Sequence, residues 1–181
     1  ILGILPFFHV YGMTTVLILS VMTKNKMILM PKFDAEDALK TIDKQKPTLF
    51  PGAPTMYIGL LNHPDIEKYN LSSIRACLSG SASLPVEIQE KFEEITGGKL
   101  VEGYGLTETS PVTHANFIWD DRIVGSIGVP WPSTDAVILR SGENEILPIG
   151  EIGEIAIKGP QVMKGYWNRP EDTAATFMDG W

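Results

Sequence analysis

Between residues 27 and 102, short apolar runs alternate with segments whose apolar residues recur at helical spacing, and few folds tolerate that alternation. Residues 27–30 read as a buried strand. Asp34 then suits a helix cap ahead of Ala35, Ala38, Leu39 and Ile42, and Lys46-Pro47 ends that helix. Residues 48–50 read as a second strand, Pro51-Gly52-Ala53-Pro54 as a forced turn, and Pro54 as the first turn of a helix through Leu61. Residues 74–79 form the next expected strand. The small-residue loop Gly80-Ser81-Ala82-Ser83 leads into a helix carrying Leu84, Ile88, Phe92 and Ile95 on one side, closed by Gly97-Gly98, and residues 100–102 follow as a fourth strand. Short apolar strands joined by helical crossovers imply an α/β fold, a parallel sheet with helices on both faces.

From residue 124 the texture changes. Turn pairs such as Val129-Pro130, Ser141-Gly142, Ile149-Gly150 and Gly159-Pro160 bracket expected strands at 136–139 and 154–158, and a short helix is expected over 170–177. The chain therefore divides into an α/β stretch, 1–123, and a β-rich stretch, 124–181, that reads as part of a barrel. It opens without a methionine and stops at Asp179-Gly180-Trp181, so it reads as an excerpt from a larger domain.

Composition narrows the functional classes. With 15 Lys and Arg against 22 Asp and Glu, the net charge is −7, which argues against nucleic acid as a partner. The 44% apolar content suits a globular chain. Cys77 is the single cysteine, so there is no internal disulfide and the expected compartment is the reducing cytoplasm. The first 23 residues carry no charged side chain and 15 of them are apolar, but Pro6, His9 and Gly12 interrupt the run. No basic residue precedes it, and the expectation is a helix buried inside a large protein.

In α/β sheets ligands sit beyond the carboxyl ends of the strands, which points to residues 50–54, 79–83 and 102–109. The densest chemistry is Gly103-Tyr104-Gly105-Leu106-Thr107-Glu108-Thr109-Ser110. Its start imitates the dinucleotide fingerprint G-x-G-x-x-G, but Glu108 stands where the third glycine belongs. As a nucleotide loop it is coherent: two glycines permit close backbone approach, Tyr104 offers a face for a base, Thr107 a hydroxyl for a phosphate and Glu108 a hard oxygen for Mg²⁺. On pattern alone, an ordinary polar turn with a solvated glutamate is the competing reading.

Together with Glu102, this stretch resembles the central signature of the adenylate-forming superfamily, which includes acyl-CoA synthetases, luciferases and the adenylation domains of nonribosomal peptide synthesis. In the same order stand Pro6-Phe7-Phe8-His9-Val10-Tyr11-Gly12, similar to that family's acyl-pocket segment, and Ser79-Gly80-Ser81-Ala82-Ser83-Leu84-Pro85, similar to its glycine-rich loop. Gly125-Ser126-Ile127-Gly128-Val129-Pro130, Gly153-Glu154-Ile155-Ala156-Ile157-Lys158-Gly159-Pro160, Gly165-Tyr166-Trp167 and Arg169-Pro170-Glu171 complete the set. Within the superfamily the wording most resembles bacterial long-chain fatty acid:CoA ligases.

The resemblance implies that both stretches belong to one AMP-binding domain, with ATP, Mg²⁺ and CoA as cofactor and co-substrates and a fatty acid as substrate. Thr107 and Glu108 would be its catalytic pair, Thr107 on the α-phosphate and Glu108 on the metal. Tyr104 would stack on adenine, with Glu102, Gly103 and Gly105 around it. Gly80, Ser81 and Ala82 would supply backbone to the nucleotide and the acyl carboxylate, and His9 with Gly12 would line the acyl tunnel. Access to a fatty substrate would suit a peripheral contact with the inner membrane face. The family's phosphate loop ending in Pro-Lys-Gly, its ribose-binding aspartate and its carboxyl-terminal lysine do not stand among these residues, so the piece alone is expected to be inactive.

Two rivals stand beside the ligase reading. An amino-acid or aryl-acid adenylation domain is one, although amino-acid activation typically goes with an acidic residue where His9 stands and a proline where Leu106 stands. A non-catalytic scaffold is the other. Blander expectations cover the remaining polar residues. His63 and His114 read as surface or loop histidines, Cys77 as a small buried hydrophobe, and Glu90, Lys91, Glu93 and Glu94 as a solvated helix face. Lys164 lies in the wrong segment for a catalytic lysine, and Tyr166, Trp167 and Arg169 read as packing and capping residues. His9 is open between a core histidine and a tunnel residue.

Overall fold

The computed structural model describes residues 1–181. Strand β1 (Leu2–Gly3) pairs in parallel with β2 (Ile28–Leu29), and β3 (Ala76–Ser79) pairs in parallel with β4 (Lys99–Gly105). Residues 48–52 bridge the two pairs. Leu2 N–H donates to Leu49 C=O at 2.9 Å on one side, and Phe50 and Gly52 N–H donate to Ala76 and Leu78 at 3.1 and 3.0 Å on the other. The expected strand at 48–50 thus occupies its place in the sheet, but as isolated bridges, because Pro47, Pro51 and Pro54 have no N–H to contribute to a ladder. Beyond β4 the sheet turns antiparallel through β5 (Val112–Ala115) and β6 (Val129–Pro130). That run crosses the compositional break at residue 124.

Side-chain alternation puts helices on both faces. Leu2 and Ile4 join the main core with α3 (Ala35–Gln45), α4 (Pro54–Leu61) and α5 (Val86–Thr96) through Leu39, Ile42, Tyr57, Leu60 and Phe92. Gly3, between them, faces the other way, where a Cβ would come within 2.6 Å of Val16. The helix ends follow local chemistry: Asp34 Oδ1 accepts from Asp37 N–H at 3.0 Å, Lys46 closes α3 in the left-handed region, and Gly97 closes α5 at φ +70°. Leu84, just before α5, and Phe92 on it are buried as expected but Ile95 is exposed, and Gln89 is buried with its amide donating to Leu100 C=O at 2.7 Å.

The uncharged opening is only partly covered within these 181 residues. Residues 1–5 are buried, but α1 (Val10–Gly12), a wide π-helical turn (Met13–Ile18) and α2 (Leu19–Thr23) bury only a narrow face centred on Tyr11 and Val16. Phe8 is 93% exposed and Met22 77% exposed. A helix that is apolar all round can lay only one side on a sheet, and the other side has no cover within these 181 residues. No helix is long and apolar enough to cross a membrane. The β-rich stretch contributes the antiparallel pair β7 (Asp135–Leu139) and β8 (Glu154–Lys158), then α6 (Pro170–Thr176).

Candidate active site

A cleft of about 320 Å³ opens where β3 and β4 end, lined by His9, Tyr11, Ser79, Gly80, Ser81 and residues 103–108 among others. Two of the three expected loci, 79–83 and 102–109, therefore meet in one place. Residues 50–54 stand behind it: Tyr11 donates its hydroxyl to Leu78 C=O, with Gly52 C=O at 3.4 Å, so they support the cleft without lining it.

The signature is part strand and part turn. Gly103, Tyr104 and Gly105 extend β4, and Thr107–Thr109 form one 3₁₀ turn after it. A Cβ on Gly105 would collide with the Pro111 carbonyl, so only glycine lets the chain fold back this tightly. Thr109, which sequence reasoning did not single out, is the internal staple: its hydroxyl accepts from Leu106 N–H at 2.9 Å and contacts Pro111 C=O at 2.8 Å. With Thr109 buried, exposed Thr107 and half-buried Glu108 border the cleft. Ser81 holds φ +73°, an uncommon conformation for a side-chain-bearing residue, at the cleft wall.

The other expected site residues divide. His9 is exposed, not a core histidine; its Nδ1 accepts from Tyr11 N–H at 3.1 Å, so it caps α1 while lining the cleft. Gly12 lies outside the lining; a Cβ there would stand 2.5 Å from Pro6 C=O, so its smallness serves close packing of the helix. Ala82 is also outside the lining. Glu102 turns to the loop before α5: burial pushes its carboxyl above the usual range, partly offset by Leu84 N–H at 3.4 Å.

Three other expectations are corrected. His114 is not at the surface but 5% exposed on β5, where its ring meets Tyr104 edge to face at 6.2 Å and its Nδ1 contacts Thr113 Oγ1 at 3.0 Å. Burial holds its pKa below the ordinary value. Glu93 leaves the solvated face because Arg122, from the loop after β5, takes both its oxygens at 2.6 and 2.5 Å. Tyr166 does more than pack: its hydroxyl donates to Glu108 Oε1 at 2.7 Å, and that bond holds the Glu108 carboxyl below the usual range. Cys77 is buried as expected, with burial pushing its thiol far up.

Glu108 forms no ion pair with Lys, Arg or His. No group of three or more His, Cys, Asp or Glu is assembled in the chain. A cation here would have one protein carboxylate and would draw its remaining oxygens from ligand phosphates and water. That donor set fits Mg²⁺.

A parallel sheet that turns antiparallel beside a cleft lined by Gly80, Tyr104, Thr107 and Glu108 is the arrangement expected of an adenylate-forming domain. The chain belongs to the AMP-binding enzyme family, whose profile matches residues 1–167. It is 65% identical over 181 residues to the long-chain-fatty-acid–CoA ligase of Bacillus subtilis (strain 168), covering all of this chain and 32% of that protein. The ligase of the same name from Salmonella typhimurium is 38% identical, over 98% of this chain and 32% of that protein. Among solved structures, ATP-bound MatB from Rhodopseudomonas palustris superposes with a TM-score of 0.88 at 32% identity, over 98% of this chain and 35% of that one. The chain spans about a third of the length of the curated relatives it matches.

Proposed function

We propose that these residues are the central part of an ATP-dependent long-chain fatty acid:CoA ligase of fatty acid metabolism. The observation that carries the reading is that Tyr104, Thr107 and Glu108 line the same cleft as Gly80 and Ser81, at the ends of the paired strands β4 and β3. The Tyr104 ring offers a flat face to adenine, and at Gly80, whose N–H is taken by Gly52 C=O at 3.3 Å, the missing side chain lets a ligand approach the backbone. The Thr107 hydroxyl donates to the α-phosphate, and Glu108 with the phosphates holds Mg²⁺. When bound, Mg²⁺ neutralises phosphate charge, which a chain of net charge −7 does not otherwise offset.

In the first half-reaction a carboxylate oxygen of the fatty acid forms a bond to the α-phosphorus as the bond to pyrophosphate breaks. In the second, the thiol of CoA gives its proton to solvent and its sulfur bonds to the acyl carbon as the bond from that carbon to the AMP oxygen breaks and AMP leaves. Neither step calls for a protein acid or base beyond positioned donors, so alignment and charge stabilisation carry the rate. Preference for an apolar acid is supported by the absence of an acidic residue from residues 6–12, where amino-acid activation would need one to hold the amine, and by the names of the ligases at 65% and 38% identity. The reaction belongs in the cytoplasm, with peripheral membrane contact for substrate, and the 181-residue piece alone is expected not to complete it.

The test is acid-dependent exchange of pyrophosphate into ATP by the full-length protein, offered long-chain fatty acids, amino acids and aryl acids in turn. Exchange with fatty acids supports the ligase. Exchange with amino or aryl acids alone assigns a different adenylation domain, and none with any acid leaves a scaffold.

A further inference from the structure

Glu108 is reached by a second part of the chain that the signature does not include. The loop before α6 is tied to the 3₁₀ turn twice: Met163 N–H donates to Glu108 C=O at 2.7 Å, and the Tyr166 hydroxyl donates to Glu108 Oε1 at 2.7 Å. Tyr166 is itself anchored, because its N–H donates to Thr173 Oγ1 at 2.9 Å and Thr173 Oγ1 donates to Arg169 C=O at 2.8 Å. Gly165 makes room for that anchor, with a Cβ there falling 2.7 Å from Thr173 Cγ2. The first turn of α6 therefore fixes the backbone of Tyr166, whose phenol donates to one oxygen of the carboxylate.

From this geometry we propose that Tyr166 is a positioning residue for Glu108, holding Oε1 so that the other oxygen is presented to the cation in the cleft. The proposal rests on the reading above, in which Glu108 holds Mg²⁺. A free glutamate samples several rotamers, and a cation must select one of them; a carboxylate with one oxygen already bonded binds in a single mode. Outer partners of this kind typically change metal affinity by about tenfold or more when removed.

The experiment compares the full-length parent, Tyr166→Phe and Glu108→Gln. Tyr166 is 38% exposed, so losing its hydroxyl oxygen is expected to leave the fold intact, which an unchanged melting temperature verifies. Mn²⁺ binding in the presence of α,β-methylene ATP is read by electron paramagnetic resonance, and Mg²⁺ dependence by pyrophosphate exchange. Tyr166→Phe is expected to weaken Mn²⁺ binding by about tenfold and to raise the Mg²⁺ needed for half-maximal exchange, with recovery at excess Mg²⁺ and an unchanged KM for fatty acid. Mn²⁺ affinity within about twofold of the parent overturns the positioning role. If Glu108→Gln also leaves Mn²⁺ binding unchanged, the metal reading of Glu108 falls with it; if only Glu108→Gln loses binding, Tyr166 alone is misassigned.

Discussion

Tyr104 and His114 stand opposite each other across β4 and β5, their rings 6.2 Å apart at 67°, so the residue expected to receive a nucleotide base is backed by a buried imidazole. Thr113 adds a second tie, its Oγ1 reaching Tyr104 C=O at 3.3 Å. An edge-to-face aromatic pair contributes about 0.5–1.5 kcal/mol. In the full-length enzyme, His114→Leu is expected to raise KM for ATP by up to about tenfold with little change in the KM for fatty acid. Steady-state kinetics with each substrate varied checks this.

His114 also carries a pH signature. Burial favours its neutral form, so its folded pKa lies below the unfolded value of about 6.5, and the unfolded chain binds more protons between the two. Stability from this group is complete above the unfolded value and is lost as pH falls from there toward the folded value. Melting temperature followed from pH 7 downward should fall more steeply in the parent than in His114→Gln.

The Arg122 to Glu93 pair fastens the loop after β5 to α5. Both side chains are nearly covered, at 14% and 15% exposed, and Leu100 supplies its N–H to Glu93 at 2.7 Å and its C=O to Arg122 at 2.9 Å. Burial opposes the ionised Glu93, but hydrogen bonds from Arg122 and Leu100 and the charges of Arg122 and Lys99 outweigh it and hold the carboxyl below the usual range. Arg122→Ala leaves that carboxylate without its main partner and is expected to cost about 2–4 kcal/mol in chemical denaturation. Glu93 contributes stability above its unfolded pKa, lost as pH falls through the folded one. The variant should therefore lose less than the parent on acidification below about pH 4.3.

Gly105→Ala tests the fold-back that carries Thr107 and Glu108. The added methyl meets the Pro111 carbonyl, which is backbone and cannot swing aside. A loss of about 1–3 kcal/mol is expected, together with loss of exchange activity larger than the stability change explains. Denaturant titration and exchange measured on the same preparation separate the two effects.

The central crossover units were legible because their signals are local. The cap at Asp34, the stop at Lys46-Pro47, the turn at 51–54 and the end at Gly97 each act within a few residues. The cleft was legible in part for the same reason, since Gly80, Ser81 and residues 103–108 follow strand ends. What escaped depends on contacts distant in sequence. Tyr166 meets Glu108 across 58 positions and Arg122 meets Glu93 across 29, and no periodicity encodes either. His114 looked like a loop histidine because nothing local marks β5, a strand that exists by pairing with β4 and β6. For the opening helix, apolar composition states a need for cover without stating where the cover comes from, and these 181 residues supply it on one side only.

The most direct test of the account is fatty-acid-dependent pyrophosphate exchange by the full-length protein and its Glu108→Gln variant at saturating Mg²⁺ and ATP. Losing the carboxylate proposed to hold the metal is expected to lower the rate by about 10²-fold or more while leaving the melting temperature unchanged. Exchange in the variant within about threefold of the parent would contradict the assignment of Glu108, and with it the joint role of Tyr104, Thr107 and Glu108 in gripping the activated acyl group.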